Sequence, residues 1–331
     1  MTRKKIGQRG FADLILEGKS KGTVLDEIAK VLSLKELSRL VDQHLEAKNP
    51  GPNRGGRPAY PSEAMLKVLL LQTMHDLSDE RAQDAIADRL SFRRFCGFSL
   101  DDNTPDNATI CRFRAVLLDL NVDILAIVNK QLDKHKMRLR KGTLVDATII
   151  HANAKAPSGG QVSERDPDAG WTQKAGKFHF GYKAHVGMDQ ESSLINKVKV
   201  TSADIHDGLA VYECLDEDDK QVYADKAYDN EETRTNLRQH RIKPRIMRRT
   251  YAKQTDLRKK RIAGLNKGYG KIRCGVEKFF GTTKRSFGAG KARYLGIAKN
   301  QLHMEMRAAC YNIKRVVKML GEDKKMQLCP A

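Results

Sequence analysis

The feature that most constrains how this chain can fold is a change of residue texture after Lys141-Gly142. Upstream, apolar residues recur at helical spacing. Downstream, TLVDATIIHA, KFHFGYKAHVGMD and SLINKVKVTSA are apolar and β-branched, and the turn-forming DQES separates the last two. Such runs predict three consecutive antiparallel strands. A chain of this pattern divides into a helical part and a part built on a sheet, and its 331 residues, 40% of them hydrophobic, suffice for one large and one smaller domain.

The order of the remaining segments narrows the fold. ADIHDGLAVYECLDE predicts a helix, KQVYADKAY a fourth strand ending at Asp225, and NEETRTNLRQHR another helix. RIKPRIMRR predicts a basic strand, and a helix carrying Glu277 is expected from about Ile272 to Arg285. Three strands, a helix, a strand, a helix, a strand and a helix is the ribonuclease H-like order: an α/β fold with a mixed sheet flanked by helices, here preceded by an all-helical N-terminal domain.

In the helical part, Pro61-Ser62 followed by EAMLKVLLLQTMHDL predicts a buried helix with Ser62 as its N-cap. A second helix is expected after Ser78, running through Ile86 to Leu90. A third follows Thr104-Pro105-Asp106, with Ile110, Phe113, Val116 and Leu117 on one side and Arg112 and Arg114 on another. Three short helices suit a helix-turn-helix reader or a plain bundle, and the sequence leaves both open. NPGPNRGGRPAYP before them reads as a loop or a backbone-tracking arm.

The net charge of +20 points to a polyanionic partner. It is concentrated in residues 241–300, where 19 Lys and Arg face only Asp256 and Glu277, a net 19 − 2 = +17. That density favours nucleic acid, with Arg245, Arg248 and Arg249 as candidate phosphate contacts. The longest strongly apolar stretch, around Val68 to Leu71, is far too short to span a membrane. Six scattered cysteines without zinc-ligand spacing read as reduced thiols in a cytosolic protein, so a metal would be held by oxygen.

Three carboxylates stand out. Asp146 lies between Val145 and Ala147 in an apolar strand, where an ionised carboxylate is costly unless a cation pairs with it. Asp225 ends the strand expected beside it, where α/β sheets place ligand sites. Glu277 stands on the late helix, with Arg273 four residues before it and Lys284 seven after, on one helical face. Three hard oxygen ligands suit Mg²⁺ or Mn²⁺, and two such ions serve in-line phosphodiester displacement. Arg273 and Lys284 would grip the flanking phosphates of double-stranded DNA.

At these residues the chain resembles the DDE transposases of bacterial insertion sequences, most closely the insertion-sequence-five family. LVDATIIHANAK is similar to the first-Asp segment, GKFHFGYKAHVGMD to the strand after it, VYADKAYDN to the second-Asp segment and IRCGVEKFFGTTKR to the Glu segment. The similarity runs from GRPAYPSEAMLKVLLLQ at residue 56 to the helix after Tyr311. The family's last segment carries Tyr, two residues, Arg, three, Glu, six, Lys. Arg273, Glu277 and Lys284 fit, but position 270 is Gly and the tyrosine is Tyr269.

The resemblance implies an enzyme that binds the inverted repeats of its element, pairs them as a homo-oligomer, and cuts and joins DNA using metal held by Asp146, Asp225 and Glu277. It implies a cytoplasmic, nucleoid-associated bacterial protein. The expected organisation is a basic arm and linker over 1–58, a helical DNA-end-binding domain over 59–138, a catalytic domain over 139–322 and a tail over 323–331. The alternatives are a transposase-derived DNA-binding protein that no longer cuts and a nuclease on the same fold.

Five other residues carry weaker signals. Trp171, in the expected loop DPDAGWTQKAGK, would either stack on an unpaired base or cover the core. His179 and His185 fall on one side of their strand, where a polar sheet face is the preferred reading over an approach to the site. Asp204 and Asp207 read as helix caps, with support of the metals as the lesser alternative.

Overall fold

A computed structural model describes residues 3–8, 10, 22–48, 58–135, 142–158 and 161–328. Lys141, residues 49–57 of the Gly- and Pro-rich loop, and the end of the tail from Cys329 lie outside them. The chain forms two compact units: residues 1–132 with 313–331, and residues 133–312.

Apart from a parallel bridge between Arg3 and Ala59, the secondary structure of the first unit's described residues is helical: α1 (Val24–Val31), α2 (Lys35–Lys48), α3 (Ser62–Met74), α4 (Asp79–Asp88), α5 (Leu90–Cys96), α6 (Asn107–Leu120) and α7 (Ile124–Leu132). It also includes the second part of the last helix, α10 (Ile297–Leu328). Helix α3 is apolar on every side and buries 11 of its 13 residues, so it forms the centre. It packs against α2, α4, α5 and α6. Pro61, not Ser62, holds its N-cap position. The Ser62 hydroxyl instead donates to Asp42 at 2.5 Å, a bond that ties α3 to α2.

Helix α4 starts after Ser78, as expected, with Ser78 as its cap, and α6 after Asp106, whose carboxylate accepts from the Thr109 N–H at 2.7 Å. The helix expected to run to Leu90 instead breaks at Arg89, whose backbone is extended. The break redirects the chain so that Phe92, Phe95 and Cys96 of α5 become buried, each aromatic contributing about 1.5–3 kcal/mol. Gly97, left-handed at φ 85°, then ends α5.

The second unit is a six-stranded mixed sheet with helices against it, a ribonuclease H-like α/β fold. Its strands are β1 (Thr143–His151), β2 (Gly170–Lys174), β3 (Lys177–Asp189), β4 (Ile195–Ser202), β5 (Gln221–Ala224) and β6 (Lys243–Ile246). Strand β3 pairs antiparallel with β1, β2 and β4. On its other side β1 pairs parallel with β5, and β5 with β6. Helices α8 (Glu231–Gln239) and α9 (Asp256–Ser286) complete the order before α10. Val145, Val222, Ala224, Leu237 and Ile246 form one core cluster under the parallel strands.

Three expectations for this unit are corrected. The loop around Trp171 is strand β2, which forms a hairpin with β3 and is held by Trp171 against Phe180, ring centroids 5.3 Å apart. The helix expected over 203–217 is two short 3₁₀ turns, Asp207–Ala210 and Tyr212–Cys214. Residues three apart align in such turns, which lets Val211 and Cys214 both become fully buried while Leu209 stays exposed. Helix α9 begins at Asp256, capped by Thr255, 16 residues before the expected Ile272. Its first half is basic and exposed, so no apolar stripe revealed it in the sequence.

Candidate active site

Asp146 sits in the middle of β1, and Asp225 directly follows β5. The parallel register pairs Thr143 with Val222 and Leu144 with Tyr223. Continued two residues, it brings Asp146 level with Asp225, so the two strands deliver both carboxylates to one edge of the core. Asp225 also caps the turn Lys226–Tyr228, its Oδ1 accepting from the Ala227 N–H at 2.6 Å. This bond fixes where the chain leaves β5.

Helix α9 packs on β1 and β5. At Gly275 an added Cβ would stand 3.2 Å from the Leu144 side chain of β1. Two residues to either side are Arg273 and Glu277. Arg273 donates through Nη1 to Asp146 Oδ2 at 2.5 Å and through Nη2 to Glu277 Oε1 at 3.0 Å. One planar guanidinium thus bridges a carboxylate of the sheet and one of the helix.

Burial pushes the Asp146 carboxyl up to about 6. Arg273 and the Ala147 N–H oppose that shift, the like charge of Asp225 adds to it, and Lys174 opposes it in turn. A carboxylate so raised calls for a cation, and in this structure that cation is Arg273. Among the described residues, no three His, Cys, Asp or Glu side chains stand close enough to form a metal cluster. The donor chemistry nevertheless suits a hard divalent ion: three carboxylates, no sulfur or imidazole among them, and the buried Tyr228 hydroxyl, three residues after Asp225, left without a hydrogen-bond partner. Holding an ion would require Arg273 to release Asp146.

Tyr228 and Lys174 are the functional candidates that the sequence reading passed over. Burial, then Asp207, Asp146, Cys214 and Asp225, hold the Tyr228 phenol well above its usual range. Its only sequence signal is its position three residues after Asp225. Lys174, at the end of β2, acts electrostatically on both Asp146 and Lys284. Desolvation first and Lys174 second lower the ammonium of Lys284 below its usual range. His151 and His179 stack nearby at 5.1 Å, and desolvation, His179 and Lys284 hold His151 below the usual histidine range. The edge of the site is therefore crowded with cationic and cation-forming groups.

The other candidates have definite places. Arg245 donates to the Tyr269 hydroxyl at 3.4 Å, while its buried Nε has no partner. Tyr269 meets Tyr223 of β5 edge-on at 5.8 Å, so the displaced tyrosine packs against the strand that leads to Asp225. Arg249 is held at the Lys226 carbonyl and at Asp229. The Arg248 backbone exchanges two hydrogen bonds with the Asn266 amide. In the first unit Arg112 is exposed and bonds Thr109 at 3.4 Å, whereas Arg114 is tied to Asp79 and Gln72. Trp171 is half-buried against Phe180 and its indole N–H has no partner.

Two weaker readings are corrected. His185 does not line a polar face: it is fully buried, with Nε2 at 2.9 Å from the Thr201 hydroxyl. Asp207 caps nothing, since His206 holds that position through its ring nitrogen. Asp207 instead pairs with Lys183 at 3.0 Å.

No helix among the described residues is long and apolar enough to cross a membrane. No solved structure matches the chain. Two protein-family models do: one described as Transposase domain (DUF772), over residues 15–116, and one described as Transposase DDE domain, over residues 138–313. The second spans more than half of the chain and contains Asp146, Asp225 and Glu277. The chain belongs to the DDE-domain transposases.

Proposed function

We propose that this transposase serves a bacterial insertion sequence of the insertion-sequence-five family, and that Asp146, Asp225 and Glu277 are its catalytic carboxylates. Residues 59–138 would bind the terminal inverted repeats, 139–322 would carry the chemistry, and the working form on DNA would be a homo-oligomer. The observation that carries this reading is the Arg273 bridge between Asp146 and Glu277, with Asp225 level with Asp146 on the neighbouring strand.

The family implies dependence on a divalent metal, and the three carboxylates would hold Mg²⁺ or Mn²⁺. Two such ions would supply the Lewis acidity that activates a water or a DNA 3′-hydroxyl and stabilises the leaving oxygen. The chain's own residues do the rest. Asp146 and Asp225 present buried negative charge on a rigid sheet. Gly275, beside the Leu144 side chain, lets α9 lie against β1, from where Glu277 would join them. Arg273, released from Asp146, would remain on Glu277 and turn its free N–H groups to a phosphate oxygen. Lys174 and Lys284 hold the neighbouring phosphates by charge, and Arg245, Arg248 and Arg249 extend that track.

The test uses purified protein, Mg²⁺ or Mn²⁺, and DNA carrying the ends of the element. Wild type is expected to nick and join these ends, and Glu277→Gln to stop cutting while binding persists. Full activity of that variant would remove Glu277 from the site. Binding without cutting by wild type would make the chain a DNA-binding derivative, and cutting without joining would make it a nuclease.

A further inference from the structure

Helix α9 carries ten Lys and Arg and only two acids, Asp256 and Glu277. Five of the cations fall on one line. Lys260, Lys267, Lys271, Lys278 and Arg285 follow at steps of 7, 4, 7 and 7 residues, and at 3.6 residues per turn those steps keep all five within about 40° of one another around the axis. All five are exposed. Other cations make the ion pairs of this helix, Lys259 with Asp256 at 3.6 Å and Arg273 with Asp146 and Glu277; none of the five joins an ion pair among the described residues. From Lys260 to Arg285 no acid stands on the line.

The buried residues Ile262, Val276 and Phe280 lie on the opposite side of the helix, while Arg273, Glu277 and Lys284 lie on a flank about 100–140° round from the line. The stripe is therefore a surface distinct from the catalytic flank, yet fixed to it. The second half of α9 packs on β1 and β5. Its first half is held by Asn266, which exchanges two hydrogen bonds with the Arg248 backbone, and by Tyr269 against Tyr223. The stripe is about 37 Å long, the rise of its 25 residues, close to one turn of duplex DNA. It passes Glu277 on both sides, with Lys260 about 25 Å along the axis in one direction and Arg285 about 12 Å in the other.

A solvated helix face ordinarily intersperses charges of both signs, and like charges four residues apart, as at Lys267 and Lys271, repel. No acid on this face offsets that repulsion. Gly264 and Gly268 stand beside the stripe, and an added Cβ at either meets nothing within 4 Å, so packing inside the chain does not require glycine there; bare backbone lets a ligand come close. A line of unpaired cations one duplex turn in length is complementary to phosphates, which release counterions as they are neutralised. We infer that the outer face of α9 is a backbone rail for duplex DNA, holding phosphates of the duplex being cut on both sides of the scissile bond. This rests on the DNA-cutting reading above. Contacts of this kind meet phosphates and not base edges, so the rail has no sequence preference.

The test is a titration without metal, at several salt concentrations, of a duplex carrying an element end and of a duplex of unrelated sequence. The variant combining Lys260→Ala, Lys267→Ala and Lys271→Ala keeps the fold, since alanine is the best helix former. It should weaken binding to both duplexes and make the slope of log affinity against log salt less steep by about three. A control combining Lys155→Ala, Lys220→Ala and Lys299→Ala removes three exposed cations elsewhere in the same unit and should keep the slope within about one of wild type. A second readout is Cys274, an exposed free thiol beside the line whose Sγ donates to the Lys271 carbonyl at 3.0 Å. Either duplex should slow its alkylation in wild type, read on its own peptide by mass spectrometry, and the first variant should lose that shielding.

An unchanged slope in the first variant, an equal fall in the control, or a Cys274 that duplex does not shield would each overturn the inference. An unchanged slope with an altered oligomeric state would also overturn it and make the stripe a contact with a second copy. Metal-dependent nicking by a wild type whose Cys274 stays unshielded would leave the transposase reading standing and remove the rail. Shielding and the slope change in a protein that never cuts would keep the rail and remove the cutting reading.

Discussion

Arg273 and Asp146 are 127 residues apart in sequence and 2.5 Å apart in space, and the same guanidinium reaches Glu277 one helical turn on. This single side chain is what joins helix α9 to the carboxylate of β1. Its planar fork serves two acids at once, which an ammonium does not do in the same geometry. Arg273→Lys is expected to lower the single-turnover cleavage rate by at least about tenfold, and Arg273→Ala by roughly 100-fold or more. A rate within twofold of wild type in Arg273→Ala would show that the bridge plays no part in the chemistry.

Asp225 has two tasks that one substitution separates. Asparagine keeps the cap on the Ala227 N–H, because its side-chain oxygen accepts as well as that of aspartate. It lacks the charge needed beside Asp146. Asp225→Asn should therefore melt within a few degrees of wild type while losing more than about 100-fold in cleavage. Retention of activity would exclude Asp225 as a ligand, and unfolding would show that its charge is structural.

His185 predicts a pH dependence of stability. Burial pushes its imidazole down to about 4; Asp207 and Glu213 oppose that shift and Lys183 adds to it. Between pH 6.5 and pH 4 the unfolded chain takes up a proton that the folded chain refuses. The folded state thus loses stability as pH falls through that window, and the contribution levels off below it. The loss amounts to roughly 3 kcal/mol from this one group. Urea midpoints measured from pH 7 to pH 4 should fall less steeply for His185→Gln than for wild type. Parallel profiles would rule out the buried neutral imidazole.

Gly187 marks where β3 meets the turn at Cys214. A Cβ there would stand 1.9 Å from the Cys214 carbonyl oxygen, an atom of the main chain that cannot rotate away. Gly187→Ala should destabilise the second unit by about 1–3 kcal/mol, seen as a lower melting temperature with the first unit's helices still formed. An unchanged melting temperature would show that the turn shifts freely.

Legibility followed the strength of local patterns. Strand β1, helix α3 and the helix starts after Ser78 and Asp106 were readable because β-branched runs, apolar spacing and polar residues at helix starts act within a few residues. Strand β2 was not, since its GWTQK is polar and becomes a strand only by pairing with β3 and by packing Trp171 on Phe180. The turns at 207–214 mimicked a helix because Val211 and Cys214 share the spacing of both helical forms. The first half of α9 was hidden for the opposite reason: among its buried residues only Ile262 precedes Val276, so no stripe announced it.

The sequence by itself determined strands β1, β3, β4, β5 and β6, the spacing of Arg273, Glu277 and Lys284, and the concentration of positive charge, and it singled out three carboxylates. Each of these is a property of one segment or of a count. The tertiary structure alone decided that β1 lies beside β5 with Asp146 level with Asp225, and that Arg273 holds Asp146 as well as Glu277. It alone brought Tyr228 and Lys174 to the site, buried His185, and exposed Phe178 while covering Phe180. Those outcomes depend on which distant segments pair and how closely a helix approaches a sheet. Local periodicity carries no information about that, because it is set by the packing of side chains far apart in the chain.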